Sequence, residues 1–199
     1  MDVTFSGATT ANILAERQRG TPPQIDALDG SEALVTITIG GNDVGYIPLL
    51  MAAALPGRRG CCPTSARCWT AMPASRRSVR SATRCARSGG GAPARPGARV
   101  LFVDYLTMLP PAGRSAAPLS PADADLGRHV AARLEDLTAA AAEASGCELV
   151  RAGLASRDHH AWSSDPWTVG AAWPLPWRPA PFHPNAAGCA PSRKWSRHR

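Results

Sequence analysis

The sequence predicts an α/β fold. Two apolar runs, at 33–39 and 98–105, are typical of buried strands, and an amphipathic pattern of helical period covers residues 121–145. The first run ends directly in the tetrapeptide Gly-Gly-Asn-Asp at 40–43. Glycines allow a sharp turn and a close approach of a substrate, and open α/β sheets bind ligands at the carboxyl ends of their strands. The tetrapeptide therefore marks a candidate site.

Shorter elements complete this prediction. We expect, in chain order, a strand at 2–5, a helix beginning within 8–17, a helical turn at 21–28, a short helix near 43–55 and a last strand at 148–150.

The best-defined element is the helix at 121–145. Ser120 is a favourable N-cap, Pro121 fits the first turn, and Gly146 is suited to end the helix. One apolar stripe runs along it, formed by Leu126, Val130, Leu134, Leu137 and Ala141.

Three ordered segments carry a family resemblance. They read Phe-Ser-Gly-Ala-Thr-Thr-Ala-Asn at 5–12, Gly-Gly-Asn-Asp at 40–43 and Phe-His-Pro-Asn-Ala-Ala-Gly at 182–188. Together they resemble blocks two, three and five of the SGNH (GDSL-type) serine esterases and lipases, most of all the actinobacterial kind. The resemblance implies a flavodoxin-like three-layer fold with a parallel sheet of strand order 2-1-3-4-5. It also implies a Ser–His mechanism on carboxylic esters or lipids, with no metal and no organic cofactor.

Carried over residue by residue, the resemblance assigns three roles. Gly7 becomes a backbone N–H donor of the oxyanion hole, Asn42 its side-chain donor, and His183 the general base. The alternative to a functional role for residues 40–43 is an ordinary turn, since glycine, asparagine and aspartate favour turns for local reasons.

The nucleophile block of the resembled family does not occur in the sequence. No Gly-Asp-Ser tripeptide is present, and only residues 1–4 precede the block that begins at Phe5, so we expect an incomplete sheet without the first strand and an inactive, truncated form. Ser6 is the tempting substitute, but the resemblance makes it a neighbour of the oxyanion glycine.

The sequence also departs from the family pattern at the acid of the Ser–His–Asp catalytic triad. Many members carry an aspartate three residues before the histidine, and Ala180 stands there. The carbonyl of Ala180 or of a neighbour would have to orient His183, with Asp158 and Asp165 as lesser candidates.

The positive charge is confined to two segments. The net charge is +7, yet residues 57–97 hold nine arginines and residues 189–199 hold four basic residues, with no acid in either. We expect an SGNH domain over residues 1–188, interrupted at 57–97 by a disordered segment without core periodicity and followed by a basic irregular tail at 189–199. Our hypothesis is that both segments are out-of-frame translations of a GC-rich gene, with the first restored to frame near Pro96. The alternative is a basic module that binds nucleic acid or other anions, which the near absence of aromatic residues disfavours.

The cysteines and the apolar runs give little further information about function or location. Most of the six cysteines fall in or beside the two basic segments, their spacing is wrong for zinc, and no connectivity follows. The sequence shows neither an export signal nor an apolar run of membrane length. A secreted location would require a signal in a longer precursor.

Overall fold

A computed structural model describes residues 1–55, 98–171 and 180–195. The arginine-rich segment at 57–97, which was predicted to be disordered, lies outside the described residues. This segment contains four of the six cysteines. The helices are α1 (Thr10–Leu14), α2 (Tyr46–Ala53), α3 (Pro121–Ser145), α4 (Ala152–Ala155) and α5 (Ala186–Trp195), and 3₁₀ turns occur at Gln24–Ala27 and Arg157–His159.

The sheet of the described residues has three parallel strands in the order β1-β2-β3: β1 (Leu34–Ile37), β2 (Arg99–Val103) and β3 (Glu148–Val150). Val35 lies opposite Val100, and Phe102 lies opposite Leu149. Because neighbouring strands are parallel, the carboxyl ends of β1 and β2 meet at one edge of the sheet. The predicted strands at 33–39, 98–105 and 148–150 are confirmed, with narrower limits for the first two.

Two groups of buried side chains surround the sheet. One packs β1 and β2 against α1, the first 3₁₀ turn and the last part of α3, around Ile37 and Phe102. The other joins α2 to the middle of α3 and includes Leu50, Val130 and Leu134. Phe182 belongs to this second group, so the segment that carries His183 is anchored in the core.

Helix α3 has the limits and caps that the sequence predicts. The Ser120 hydroxyl accepts the Asp123 N–H, and Gly146 takes the left-handed conformation with φ of 60° at the C-terminus. Because an uncapped helix end leaves backbone groups unpaired, these two residues fix the length of the helix.

The predicted strand at 2–5 is wrong. Residues 1–5 are irregular, and the Thr4 N–H donates to the Asp2 side chain at 3.0 Å instead of to a neighbouring strand. Among the described residues β1 is an edge strand that pairs with β2, so residues 2–5 form no ladder with the sheet. A segment with strand propensity remains irregular when no ladder satisfies its backbone groups.

The predicted irregular tail at 189–199 is also wrong over 189–195, which belong to α5. Asn185 begins this helix: its side-chain oxygen accepts the Gly188 N–H at 2.9 Å, and its carbonyl accepts the Cys189 N–H at 3.0 Å. Such a cap satisfies backbone N–H groups of the first turn and so favours a helix even in a segment of poor apolar periodicity. Residues 196–199 lie outside the described part.

Candidate active site

A cavity of about 410 Å³ lies at the carboxyl edge of β1 and β2. Its wall includes Ser6 and Gly7 from the first turn, Asn42 from the loop after β1, and His183 from the segment before α5. Three chain segments that are far apart in the sequence therefore border one space. The catalytic roles assigned to Gly7, Asn42 and His183 stay predictions.

The first wall is a tight turn around Gly7. The Ala8 N–H donates to the Phe5 carbonyl at 3.2 Å, and Gly7 has a φ of 83°, which an L side chain rarely adopts. The Gln18 side chain donates to the Ser6 carbonyl at 3.2 Å and holds the turn from outside. Both Ser6 and Gly7 are exposed, so a ligand in the cavity has access to their polar groups.

The loop after β1 is bonded to that first turn. The Asn42 side-chain amide donates to the Ala8 carbonyl at 2.9 Å, which leaves the second N–H of the amide for another acceptor. The Asp43 carboxylate accepts the Thr10 N–H at 3.1 Å and also the Thr10 hydroxyl. These contacts fix the separation between Gly7 and Asn42. An isolated turn at residues 40–43 would not require them.

The imidazole of His183 is oriented by a main-chain carbonyl. Its Nδ1 lies 2.9 Å from the Pro181 oxygen, and its Nε2 lies 3.4 Å from the Ser6 hydroxyl. The Ala180 carbonyl accepts the His183 backbone N–H at 3.3 Å. The orienting carbonyl thus belongs to Pro181, a neighbour of the Ala180 position considered from the sequence.

The segment around His183 is pinned to residues 166–169. The Val169 N–H donates to the His183 carbonyl at 2.9 Å, and the Asn185 side chain donates to the Pro166 carbonyl at 2.7 Å. Phe182 is buried with a φ of 59°, an uncommon conformation for a bulky residue. Strained backbone of this kind persists only where the surroundings hold it in place.

Neither lesser acid candidate borders the cavity. The Asp165 carboxylate lies 3.2 Å from Nδ1 of His159, whose ring stacks on Trp167 with centroids 4.1 Å apart. Asp158 lies in the second 3₁₀ turn.

His160, which follows His159, also contacts the surrounding loop. Burial lowers the pKa of the His160 imidazole, and the Trp162 backbone N–H donates to that ring at 3.2 Å. The pair at 159–160 thus has loop-stabilising contacts.

Sequence reasoning did not identify two hydrogen-bonded residues of the cavity wall, both of which follow β2. The Tyr105 hydroxyl accepts the Gly41 N–H at 2.9 Å, and burial raises the pKa of this tyrosine to about 12. Asp104 is buried, its carboxylate accepts the Gly153 N–H at 2.7 Å, and burial raises its pKa. The signal that marked Asn42, a polar residue at the carboxyl end of a buried strand, also applies to these two.

Among residues 1–55, 98–171 and 180–195, no cluster of three or more histidine, cysteine, aspartate or glutamate side chains is arranged to hold a metal ion. None of the helices in that same part of the chain combines the length and the hydropathy of a membrane span.

Comparisons with known proteins place these features in a family. The profile of the GDSL-like Lipase/Acylhydrolase family matches residues 2–190. Lipase 2 of Streptomyces coelicolor is 33% identical over 201 residues, an alignment that covers 94% of this chain and 66% of that protein. The chain therefore spans just under two thirds of the length of this relative.

Solved structures show the same fold. An extracellular lipase from Streptomyces rimosus superposes with a TM-score of 0.75 at 23% identity, covering 96% of this chain and 77% of that one. Phospholipase A1 from Streptomyces albidoflavus superposes with a TM-score of 0.67, also at 23% identity, covering 94% and 74%. The chain belongs to the GDSL-like lipase/acylhydrolase family and has the α/β fold of SGNH lipases.

Proposed function

We propose that this chain carries the general base and the oxyanion donors of a Ser–His ester hydrolase and cleaves carboxylic esters, lipid esters included. The observation that supports this most is the shared cavity, in which an imidazole with one nitrogen bound to a carbonyl faces a turn glycine and an asparagine amide. Family membership makes ester hydrolysis the relevant chemistry.

In the proposed reaction, ester binding places the carbonyl oxygen between the Gly7 N–H and the second N–H of Asn42. The negative charge that develops on this oxygen during attack is stabilised by donors held in position before the reaction. His183 accepts the proton of the attacking hydroxyl at Nε2 and later gives it to the departing alkoxide. The Nδ1–H donated to Pro181 favours the tautomer that this step requires.

The sequence favours an inactive form, because no Gly-Asp-Ser tripeptide occurs in the 199 residues. Since a hydroxyl does lie 3.4 Å from Nε2 of His183, we propose instead that turnover persists but is much slower than in family members with a complete nucleophile block. The alternative of a nucleic-acid-binding module depends on residues 57–97, outside the described part, and no described feature favours it.

Hydrolysis of p-nitrophenyl butyrate tests the oxyanion assignment through Asn42→Ala. We expect this change to lower kcat by about 100-fold, with little effect on KM, since a donor used mainly in the transition state is lost. Thr36→Ala is the control because Thr36 is exposed on β1 and lies outside the cavity wall. Equal rates for the Asn42 variant and the parent chain would contradict the proposal. Turnover as fast as that of Lipase 2 would contradict the part that concerns the missing block.

A further inference from the structure

We propose that Ser6 is the nucleophile of the acyl transfer that this chain carries out. The inference deepens the proposed function and depends on it. It starts from one contact: the Ser6 hydroxyl lies 3.4 Å from Nε2 of His183, at the wall of the cavity that Gly7 and Asn42 also border. A nucleophile close to a base that a third group orients is the arrangement that activates a serine.

The orientation of the base is the second step. A carbonyl oxygen only accepts hydrogen bonds, so the contact of 2.9 Å to Pro181 places the imidazole proton on Nδ1. The lone pair of Nε2 then faces Ser6. The imidazole is thereby arranged to take a proton from the Ser6 hydroxyl, the direction required of a general base.

The third step concerns the oxyanion. Gly7 follows Ser6 directly, and the backbone N–H of the residue after the nucleophile is an oxyanion donor in hydrolases with a serine on a sharp turn. In the described residues no acceptor takes the Gly7 N–H. Asn42 is bonded to Ala8, two residues after Ser6, which keeps the second donor close to the same turn.

The chemical step balances with these groups alone. The Ser6 oxygen bonds to the ester carbonyl carbon while its proton passes to Nε2 of His183. The bond from that carbon to the alcohol oxygen breaks, and the alkoxide takes the proton from Nε2. Water then attacks the acyl-serine with His183 as base, and the carboxylic acid and the free Ser6 hydroxyl are restored.

The geometry also indicates a low rate. A distance of 3.4 Å is longer than that of a well-formed hydrogen bond, although such contacts are often loose before substrate binds. The exposed turn must tighten toward His183 for each transfer, so acylation of Ser6 is slow.

A p-nitrophenyl alkylphosphonate tests the inference because it phosphonylates an activated serine without turnover. Peptide mass mapping is expected to find the adduct on Ser6 in the parent chain and in Ser115→Ala, an exposed serine outside the cavity wall. We expect no adduct at position 6 in Ser6→Ala and labelling at least 100-fold slower in His183→Ala. Failure of the parent chain to label at Ser6, or an adduct on another serine, would overturn the inference.

Ester hydrolysis by the same proteins separates this inference from the proposed function. Hydrolysis lost in both Ser6→Ala and His183→Ala, with Ser115→Ala unaffected, supports both. Hydrolysis that survives in Ser6→Ala but not in His183→Ala overturns the role of Ser6 alone. Hydrolysis and labelling that are unchanged in His183→Ala overturn both. Circular dichroism of each variant shows whether a loss of activity reflects unfolding.

Discussion

Replacing His183 with alanine is expected to lower kcat/KM for p-nitrophenyl butyrate by about 100- to 10,000-fold, the range typical for removal of a general base. The imidazole is the base that lies beside a hydroxyl, with Nε2 at 3.4 Å from Ser6, while the Asp104 carboxylate and the Tyr105 hydroxyl each accept a backbone N–H.

A matched histidine serves as the control for this change. His129 is exposed on α3 and does not border the cavity, so His129→Ala should retain the parent rate. If His183→Ala kept more than a third of the parent activity, or if His129→Ala lost as much as His183→Ala, the role of His183 as base would be wrong.

The second large effect concerns stability. Gly188→Ala is expected to lower the free energy of unfolding by roughly 3 kcal/mol, the upper part of the range for overpacking a well-filled site. A Cβ at this position would lie 2.1 Å from the Trp167 carbonyl oxygen, which is backbone and cannot rotate away. Helix α5 would have to move away from residues 166–169, and His183 would move with it.

Urea unfolding followed by circular dichroism measures this effect. Gly170→Ala is the control, because a Cβ there would meet its nearest atom, the Ala161 carbonyl oxygen, at an ordinary distance of 3.7 Å. We expect the midpoint of unfolding to fall in the Gly188 variant and to change little in the Gly170 variant. Equal midpoints for Gly188→Ala and the parent would show that α5 does not pack on Trp167 as described.

Local signals predicted most of the fold. Helix α3 has the N-cap, the apolar stripe and the terminal glycine that the sequence displays, and its limits agree with the prediction. The strands β1 and β2 follow from apolar runs too long to remain exposed. Each of these elements is specified by the residues within it, which is why single-sequence reasoning found them.

The errors occur where structure depends on a partner. Residues 2–5 have the composition of a strand, but strand formation needs a neighbouring ladder that this segment does not have. Helix α5 extends through a segment of poor periodicity because Asn185 and the contacts of Trp167 hold its first turn. Neither dependence is visible in a window of sequence.

The site shows the same contrast between local sequence signals and contacts that depend on a distant segment. Motif blocks predicted Gly7, Asn42 and His183, and the structure brings all three to one cavity. The contacts of the site were less accessible to sequence reasoning: the orienting carbonyl of Pro181, the Gly41 N–H bonded to Tyr105, and the approach of Ser6 to the imidazole. These contacts join segments more than 60 residues apart in two of the three cases, and depend on packing.

The proposed function has one central requirement. The Gly7 N–H and the Asn42 side-chain amide must donate to the same substrate oxygen, while the His183 imidazole contacts the reacting group beside it. Nuclear magnetic resonance titration with methyl butylphosphonate, a stable tetrahedral anion, tests it without any need for turnover. We predict that the signals of the Gly7 N–H, the Asn42 side-chain amide and the His183 ring shift together with a single Kd, and that Asn42→Ala raises this Kd. Binding that leaves the Gly7 and Asn42 signals unmoved, or separate Kd values for the three groups, would contradict the claim.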